Sequence, residues 1–135
     1  MRRARWIVLL AFIGVLAAPQ FVRGQNAPSP NLVGVWQAQV QTPWGAAVAQ
    51  TTLMPDGTFT KTFRSAEMLT WDVGMYTVGP GYIHFYIRDH EPKVYKGVPM
   101  HWVTSETVFF QLVGPDKMLC EDRVTGGRWQ AVRVR

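Results

Sequence analysis

Apolar and polar residues alternate along most of the chain that follows residue 31. The clearest example begins at Val35, where Trp36, Ala38 and Val40 are separated from one another by glutamines. Side chains of a β-strand point alternately to its two faces, so this two-residue period is typical of a strand with one buried and one solvated face. The pattern predicts a first strand here, with Trp36 on its buried side.

The same pattern returns at short intervals, with turn residues between the segments. The tripeptides Pro55-Asp56-Gly57 and Gly79-Pro80-Gly81 favour tight turns, because proline fixes φ and glycine accepts positive φ. No stretch after residue 24 has apolar residues at helical spacing over three turns. Further strands are predicted over residues 46–54, 58–64, 69–78, 82–88, 100–103, 107–113, 117–124 and 128–134.

These short strands and tight turns predict an all-β fold. Each strand has an apolar face to bury, and the outermost strands of an open sheet expose unpaired backbone groups. Closing the sheet into a barrel buries the apolar faces and removes the edges. We therefore predict one domain over residues 32–135 that forms an antiparallel up-and-down barrel of about eight strands, with a β-sandwich as the alternative.

The N-terminal residues have a different, three-part pattern. Three arginines within the first five residues precede an apolar run over residues 6–18, and a short polar stretch follows. This order is typical of a secretory signal peptide, whereas an uncleaved anchor needs a longer apolar run. We predict a cleavable signal over residues 1–24 and a flexible tether over residues 25–31. The mature protein is then exported, to the periplasm or outside the cell, with no stable membrane anchor.

The charge of the chain depends on whether that signal is removed. The formal net charge is +5 over the whole sequence, but four arginines lie within residues 1–24, so the remainder carries +1. Its basic residues are scattered, and a nucleic-acid partner is not expected. Cys120 is the only cysteine, which excludes an intramolecular disulfide. Its strand-like surroundings favour a buried apolar role over a reactive thiol.

Three short motifs resemble those of lipocalins and related calycin barrels. Gly34-Val35-Trp36 resembles the G-x-W that opens the first strand of that family. Residues 56–59 and 74–76 resemble the D-G-T-F turn and the G-x-Y strand of short, exported lipocalin-like domains of bacteria. The chain lacks the T-D-Y motif and the disulfide pair of the family, and it is shorter than a typical lipocalin.

The resemblance implies that residues 32–135 form a lipocalin-like barrel with a cup for a ligand. In such barrels the tryptophan closes the narrow end, and a basic side chain from the last strands packs over it through a cation–π contact. Carried over to this sequence, the resemblance makes Gly34 and Trp36 closing residues, with Arg128 or Arg133 as the basic partner. It does not identify the ligand.

One predicted strand combines residues that suit such a cup. Lys61 lies between Phe59 and Phe63 on the same strand face. A buried unpaired ammonium is unfavourable, and a solvated face rarely carries two phenylalanines, but a partly apolar and partly wet interior accommodates all three. The alternatives are an outer apolar patch with a solvated Lys61, or a bulge that breaks the alternation. The candidate residues for a ligand-binding wall are Trp44, Phe59, Lys61, Phe63, Trp71, Phe85 and Trp102.

Titratable residues form no recognised catalytic motif. Asp89, His90 and Glu91 are adjacent, but neighbouring strand residues point to opposite faces and zinc-ligand spacing is absent, so we expect a solvated turn over residues 88–92. No nucleophile or nucleotide-binding motif is present. The sequence therefore predicts no catalytic residues, no metal and no cofactor, and it favours an enzyme least.

Two functions follow from this pattern. The first is a noncatalytic exported barrel that binds a small, largely apolar molecule. The second is an envelope or extracellular module that binds another protein, with a solid core and exposed aromatic residues such as Tyr82, Tyr86 and Trp129. A hollow apolar interior favours the first function, and a filled interior favours the second.

Overall fold

The computed structural model describes residues 29–42 and 45–135. The predicted signal over residues 1–24, most of the predicted tether and Trp44 lie outside the described residues. No described residue belongs to a helix long and apolar enough to cross a membrane. The strands are β1 (Gly34–Thr42), β2 (Gly45–Leu53), β3 (Thr58–Ser65), β4 (Leu69–Gly79), β5 (Tyr82–Glu91), β6 (Val94–Tyr95), β7 (Val98–Pro99), β8 (Ser105–Leu112), β9 (Lys117–Asp122) and β10 (Gly127–Val134).

Eight of these strands close into an antiparallel barrel, and the described residues contain no helix. The order around the barrel is β1-β10-β9-β8-β5-β4-β3-β2, so that strands adjacent in sequence are adjacent in space. The short β6–β7 ribbon lies in the connection from β5 to β8, and β10 pairs with β1 to complete the ring. The prediction of an up-and-down barrel is confirmed over the sandwich.

The apolar core is densest at one end of the barrel, which we call the Trp36 end. Trp36, Leu53 and Phe59 are each at most 2% exposed there. Phe59 contacts Phe85 edge to face, with the ring centroids 4.9 Å apart. The opposite end, where β3 and β5 finish and β4 begins, is the far end. Burial of large apolar side chains at the Trp36 end stabilises the fold by roughly 2 kcal/mol for each side chain.

A β-bulge in β5 interrupts the regular pairing near the far end. The consecutive residues Val73 and Gly74 pair with Asp89 and Ile87, so the register skips Arg88. A Cβ atom on Gly74 would lie 1.8 Å from a carbonyl oxygen of β5. Only glycine therefore fits at this point of β4.

The bulge changes the face that the last residues of β5 occupy. Beyond it, His90 lies directly opposite Asp72, which is buried in the barrel interior. Without the bulge, alternation would place His90 with the outward-facing His84 and Tyr86. The predicted solvated turn over residues 88–92 is wrong, because β5 continues through Glu91.

The connection between β5 and β8 also differs from the prediction. The sequence predicts a strand over residues 100–103, but these residues form no strand pairing, and the short ribbon precedes them. The Met100 amide instead donates a hydrogen bond of 2.8 Å to the Lys93 carbonyl. The side chains of Met100 and Trp102 both line the barrel interior, and His101 between them does not. The apolar alternation there reflects a wall of the interior rather than a paired strand.

Candidate functional site

The barrel interior holds a cavity of about 460 Å³. It extends from the buried residues of the Trp36 end to the connections at the far end, and its volume lies within the range of small-molecule sites. Apolar residues of the strands and of the β5–β8 connection form much of its wall. Among the largest of them are Trp36, Phe63, Phe85, Met100, Trp102 and Trp129.

An ion pair interrupts this apolar wall. Lys61 in β3 binds Glu106 in β8 through a hydrogen-bonded ion pair, and its ammonium lies 3.7 Å from the centroid of the Phe85 ring. The two charged side chains are 18% and 34% exposed, respectively. A carboxylate and an aromatic face both stabilise a charged ammonium. These contacts explain how a lysine is accommodated on the inner face of β3.

Asp72 is a second carboxylate in the cavity wall. It lies directly opposite Lys61 in the β3–β4 pairing and is 7% exposed. Within the described residues, no hydrogen bond from another residue reaches its carboxyl group. Burial raises the pKa of Asp72 to about 6, an effect that the charge of Lys61 opposes and that of Glu106 reinforces. Asp72 therefore gains or loses its proton at a pH close to neutral.

His90 and Trp102 extend the polar part of the site towards the far end. Their rings stack with centroids 4.8 Å apart. The Nε2 atom of His90 and the Nε1 atom of Trp102 are buried and have no hydrogen-bond partner among the described residues. Since Lys61, Asp72 and His90 are successive partners across β3, β4 and β5, they form a continuous row, which we call the polar row.

The thiol of Cys120 contributes to the wall as a small apolar group. Cys120 is 6% exposed and lines the cavity from β9. Burial raises the pKa of its thiol to about 12. Since the thiolate is the reactive form, we expect the thiol to react slowly in the folded protein.

Arg133 covers Trp36 at the other end of the barrel. Its guanidinium lies 4.5 Å from the centroid of the Trp36 ring, while the indole Nε1 donates a hydrogen bond of 2.8 Å to the Leu32 carbonyl. Arg133 also forms an ion pair with Asp116 at 3.3 Å. It donates hydrogen bonds to three backbone carbonyl oxygens, those of Asn31, Val33 and Pro115.

Gly34 and Arg128, the other two residues proposed for barrel closure, differ in position: Gly34 lies beside Arg133, and Arg128 does not. Gly34 has a φ of +136°, and a Cβ atom there would lie 3.1 Å from a guanidinium nitrogen of Arg133. Glycine thus permits both the backbone conformation and the approach of the arginine. Arg128 lies near the beginning of β10, with its side chain 79% exposed and 3.6 Å from Glu121. It faces solvent and does not cover Trp36.

Only some of the residues predicted for the ligand-binding wall line the cavity. Phe59 is 1% exposed and lies in the packed core beneath the cavity. Trp71 does not line the cavity, because it lies on the outer face of β4 opposite Thr62 and Glu91. Trp44 lies outside the described residues. The predicted residues that line the cavity are Lys61, Phe63, Phe85 and Trp102.

Sequence reasoning missed the two carboxylates of the site, Asp72 and Glu106. In β4 the sequence made Trp71 a candidate for the ligand-binding wall, whereas its neighbour Asp72 is the buried residue. A signal was present in Lys61. A lysine on an inner face requires a carboxylate in the same interior. Glu106 meets that requirement from β8, across the barrel from β3, and Asp72 lies beside Lys61 on the neighbouring strand β4.

Neither a metal site among the described residues nor a similar known protein points to a function. Residues 29–42 and 45–135 contain no cluster of three or more His, Cys, Asp or Glu side chains that could hold a metal ion. No protein-family model matches the sequence, and no curated protein matches it significantly.

Proposed function

We propose that the protein is an exported, noncatalytic barrel that binds one small, largely apolar molecule in its interior. The observation that carries this proposal is the cavity of about 460 Å³ with its aromatic wall. Protein interiors are normally packed with few voids larger than a water molecule. Apolar side chains around so large a space lack van der Waals contacts on one side. A bound apolar ligand would supply those contacts.

The alternative, a protein-binding module with a solid core, has less support. The interior is not filled, and Trp129, one of its expected contact residues, lines the cavity. Tyr82 and Tyr86 are 38% and 50% exposed on the outer face of β5. Exposed aromatic residues in such small numbers are ordinary on protein surfaces. The relation to lipocalin-like barrels stays a prediction, and the packing of Arg133 over Trp36 agrees with it.

Titration with pyrene tests the cavity, since this hydrocarbon has no polar group and its emission reports the polarity around it. We expect saturation at one pyrene per chain, with an emission spectrum typical of an apolar environment. Ala49 lines the cavity from β2, so Ala49→Phe should fill part of the space and weaken binding by about tenfold or more. The matched control is Ala46→Phe, because Ala46 is exposed on the same strand. Absence of saturable binding, or equal effects of the two variants, would overturn the proposal.

Export is tested separately. The full chain should be produced in a bacterium and recovered from the periplasm or the medium, and its N-terminus should be sequenced. We expect Gln25 as the first residue. Recovery of the intact chain in the membrane fraction would contradict export with cleavage.

A further inference from the structure

The cavity wall carries an unequal set of charges. Three of its described lining residues are charged, namely Lys61, Asp72 and Glu106. They supply one ammonium and two carboxylates when all are ionised. The ammonium belongs chiefly to Glu106, to which it is hydrogen bonded. Asp72 is left as a buried carboxyl group on the cavity wall with no hydrogen bond from another described residue.

The site already shows how it holds an ammonium group. The Nζ atom of Lys61 is bound by a carboxylate oxygen of Glu106 and lies 3.7 Å from the Phe85 ring centroid, with the Phe59 centroid at 5.6 Å. This combination of one carboxylate and aromatic faces is a general solution for binding a cation in a partly apolar site. Around Asp72 the same elements recur, because aromatic Trp102 stacks on His90, the residue opposite Asp72.

We propose that the ligand is a primary or secondary amine with an apolar body, and that its ammonium group pairs with the Asp72 carboxylate inside the barrel. This inference rests on the proposed function and adds the chemical class of the ligand. The apolar body would occupy the space lined by Phe63, Met100 and Trp129. The bound ammonium would complete the charge balance of the interior, with two cations facing two carboxylates.

Other head groups fit the wall less well. A carboxylate ligand would add a third negative charge to the interior, and the Lys61 ammonium that could receive it is already bound to Glu106. A neutral hydroxyl group could hydrogen bond to Asp72, but it would leave two carboxylates and a single ammonium group on the cavity wall. Close charge pairs in desolvated sites commonly couple by more than 1.4 kcal/mol, which corresponds to a factor of ten in affinity.

Three naphthalene derivatives of similar size test this inference, namely 2-(1-naphthyl)ethylamine, 2-(1-naphthyl)ethanol and 1-naphthaleneacetate. Calorimetric titration at pH 7.5 should give the lowest Kd for the amine, at least about tenfold below that of the alcohol, and the highest for the carboxylate. Asp72→Asn should remove the advantage of the amine while leaving the alcohol within about threefold. The matched control is Asp89→Asn, because Asp89 is an exposed carboxylate on the outer face of the neighbouring strand.

The possible results separate this inference from the proposed function. Binding of the alcohol with no preference for the amine would overturn the inference and leave the proposed function standing. Persistence of the amine preference in folded Asp72→Asn protein would also overturn it. Failure of all three compounds to bind a protein that binds pyrene would overturn the inference alone, and failure of pyrene as well would overturn both.

A second measurement on the unaltered chain does not depend on the folding of a variant. The titratable groups that share the interior with Asp72 are Lys61 on β3, His90 on β5, Glu106 on β8 and Cys120 on β9. The carboxylate of Asp122, at the end of β9, accepts hydrogen bonds from Val124 and Thr125 in the following turn and does not line the cavity. Because protonation removes the Asp72 charge at acidic pH, the amine should bind about fivefold to tenfold more weakly at pH 5 than at pH 7.5. The alcohol should bind almost equally at both values. A parallel loss of affinity for both compounds would contradict an ion pair with the ligand.

Discussion

A carboxyl group that is almost completely buried changes the stability of a small barrel with pH. The pKa of Asp72 is raised to about 6 chiefly because burial removes the carboxylate from water. The folded chain therefore binds the proton more tightly than the unfolded chain does, whose aspartate has a pKa near 4. The corresponding stabilisation is present at low pH and is lost as the pH rises from about 4 to about 6. At neutral pH the ionised Asp72 therefore lowers the free energy of unfolding of the chain without ligand.

Replacing this residue should therefore stabilise the protein without ligand. Asp72→Asn keeps the shape of the side chain and cannot ionise, so we expect a free energy of unfolding higher by on the order of 2 kcal/mol at pH 7.5. At pH 4 the difference should almost vanish. Urea denaturation at the two pH values measures both. A variant less stable than the original chain at pH 7.5 would contradict this account of Asp72.

The thiol of Cys120 gives a second prediction at the level of one side chain. Burial raises its pKa to about 12, so very little thiolate exists at pH 8. We expect the folded protein to react with Ellman's reagent about 100-fold more slowly than the urea-unfolded chain. Because Cys120 lines the cavity, pyrene should slow the reaction further. Equal rates for folded and unfolded protein would show that the thiol is accessible.

Among the strands, β5 shows most clearly how one irregularity determines the site. The bulge at Arg88 brings His90 to the inner face beside Asp72, whereas the residues before the bulge keep the ordinary alternation. The facing position in β4 is Gly74, where a Cβ atom would lie 1.8 Å from the carbonyl oxygen of Tyr86. The polar row therefore depends on a glycine that does not itself contact the cavity.

Substitution of that glycine should disturb the site through the backbone. Gly74→Ala requires β4 and β5 to move apart, and we expect a loss of stability of about 2 kcal/mol or more. Binding of pyrene should weaken as well, since β5 provides part of the cavity wall. Thr77→Ala is the matched control, because Thr77 is exposed further along β4. If thermal unfolding showed the two variants to be equally stable, the bulge would not constrain position 74.

The strands themselves were accessible to sequence reasoning, and the site was accessible only in part. Period-two patterns and turn residues act locally, so they predicted most of the pairing segments and made Lys61 and Phe85 candidates for the interior. The skipped residue at Arg88 has no such local signature, because it depends on the close approach of β4 at Gly74. Which carboxylate reaches Lys61 depends on closure of the barrel, which places β8 across the interior from β3. These relations exist only once the barrel has closed.

For the molecule as a whole, Arg133 joins the N-terminal and C-terminal segments of the domain. Its side chain covers Trp36 of β1 and binds backbone carbonyls of the segment before β1, although it belongs to the last strand. It also connects to the β8–β9 turn through Asp116. A single side chain thus holds three parts of the chain together at the Trp36 end.

Loss of this side chain should destabilise the barrel globally. We expect Arg133→Ala to lower the free energy of unfolding by about 2 kcal/mol, because the buried Trp36 ring loses its cation–π partner and three backbone carbonyl groups lose a charged donor. Arg135→Ala is the control. Arg135 also pairs with Asp116, but its side chain is 80% exposed, and its loss should cost less than about 1 kcal/mol. Similar costs for the two variants in urea denaturation would contradict the closing role of Arg133.

The pairing of β1 with β10 also constrains when the protein can fold. These two strands contain nearly the first and the last described residues, and their register joins Val35 to Val134. A chain still emerging during synthesis has no partner for the free edge of β1, so the ring can close only after the last strand is available. Pairing across so long a stretch makes the final step of folding intrinsically slow. An incomplete chain would instead present two open strand edges, the surfaces through which β proteins aggregate.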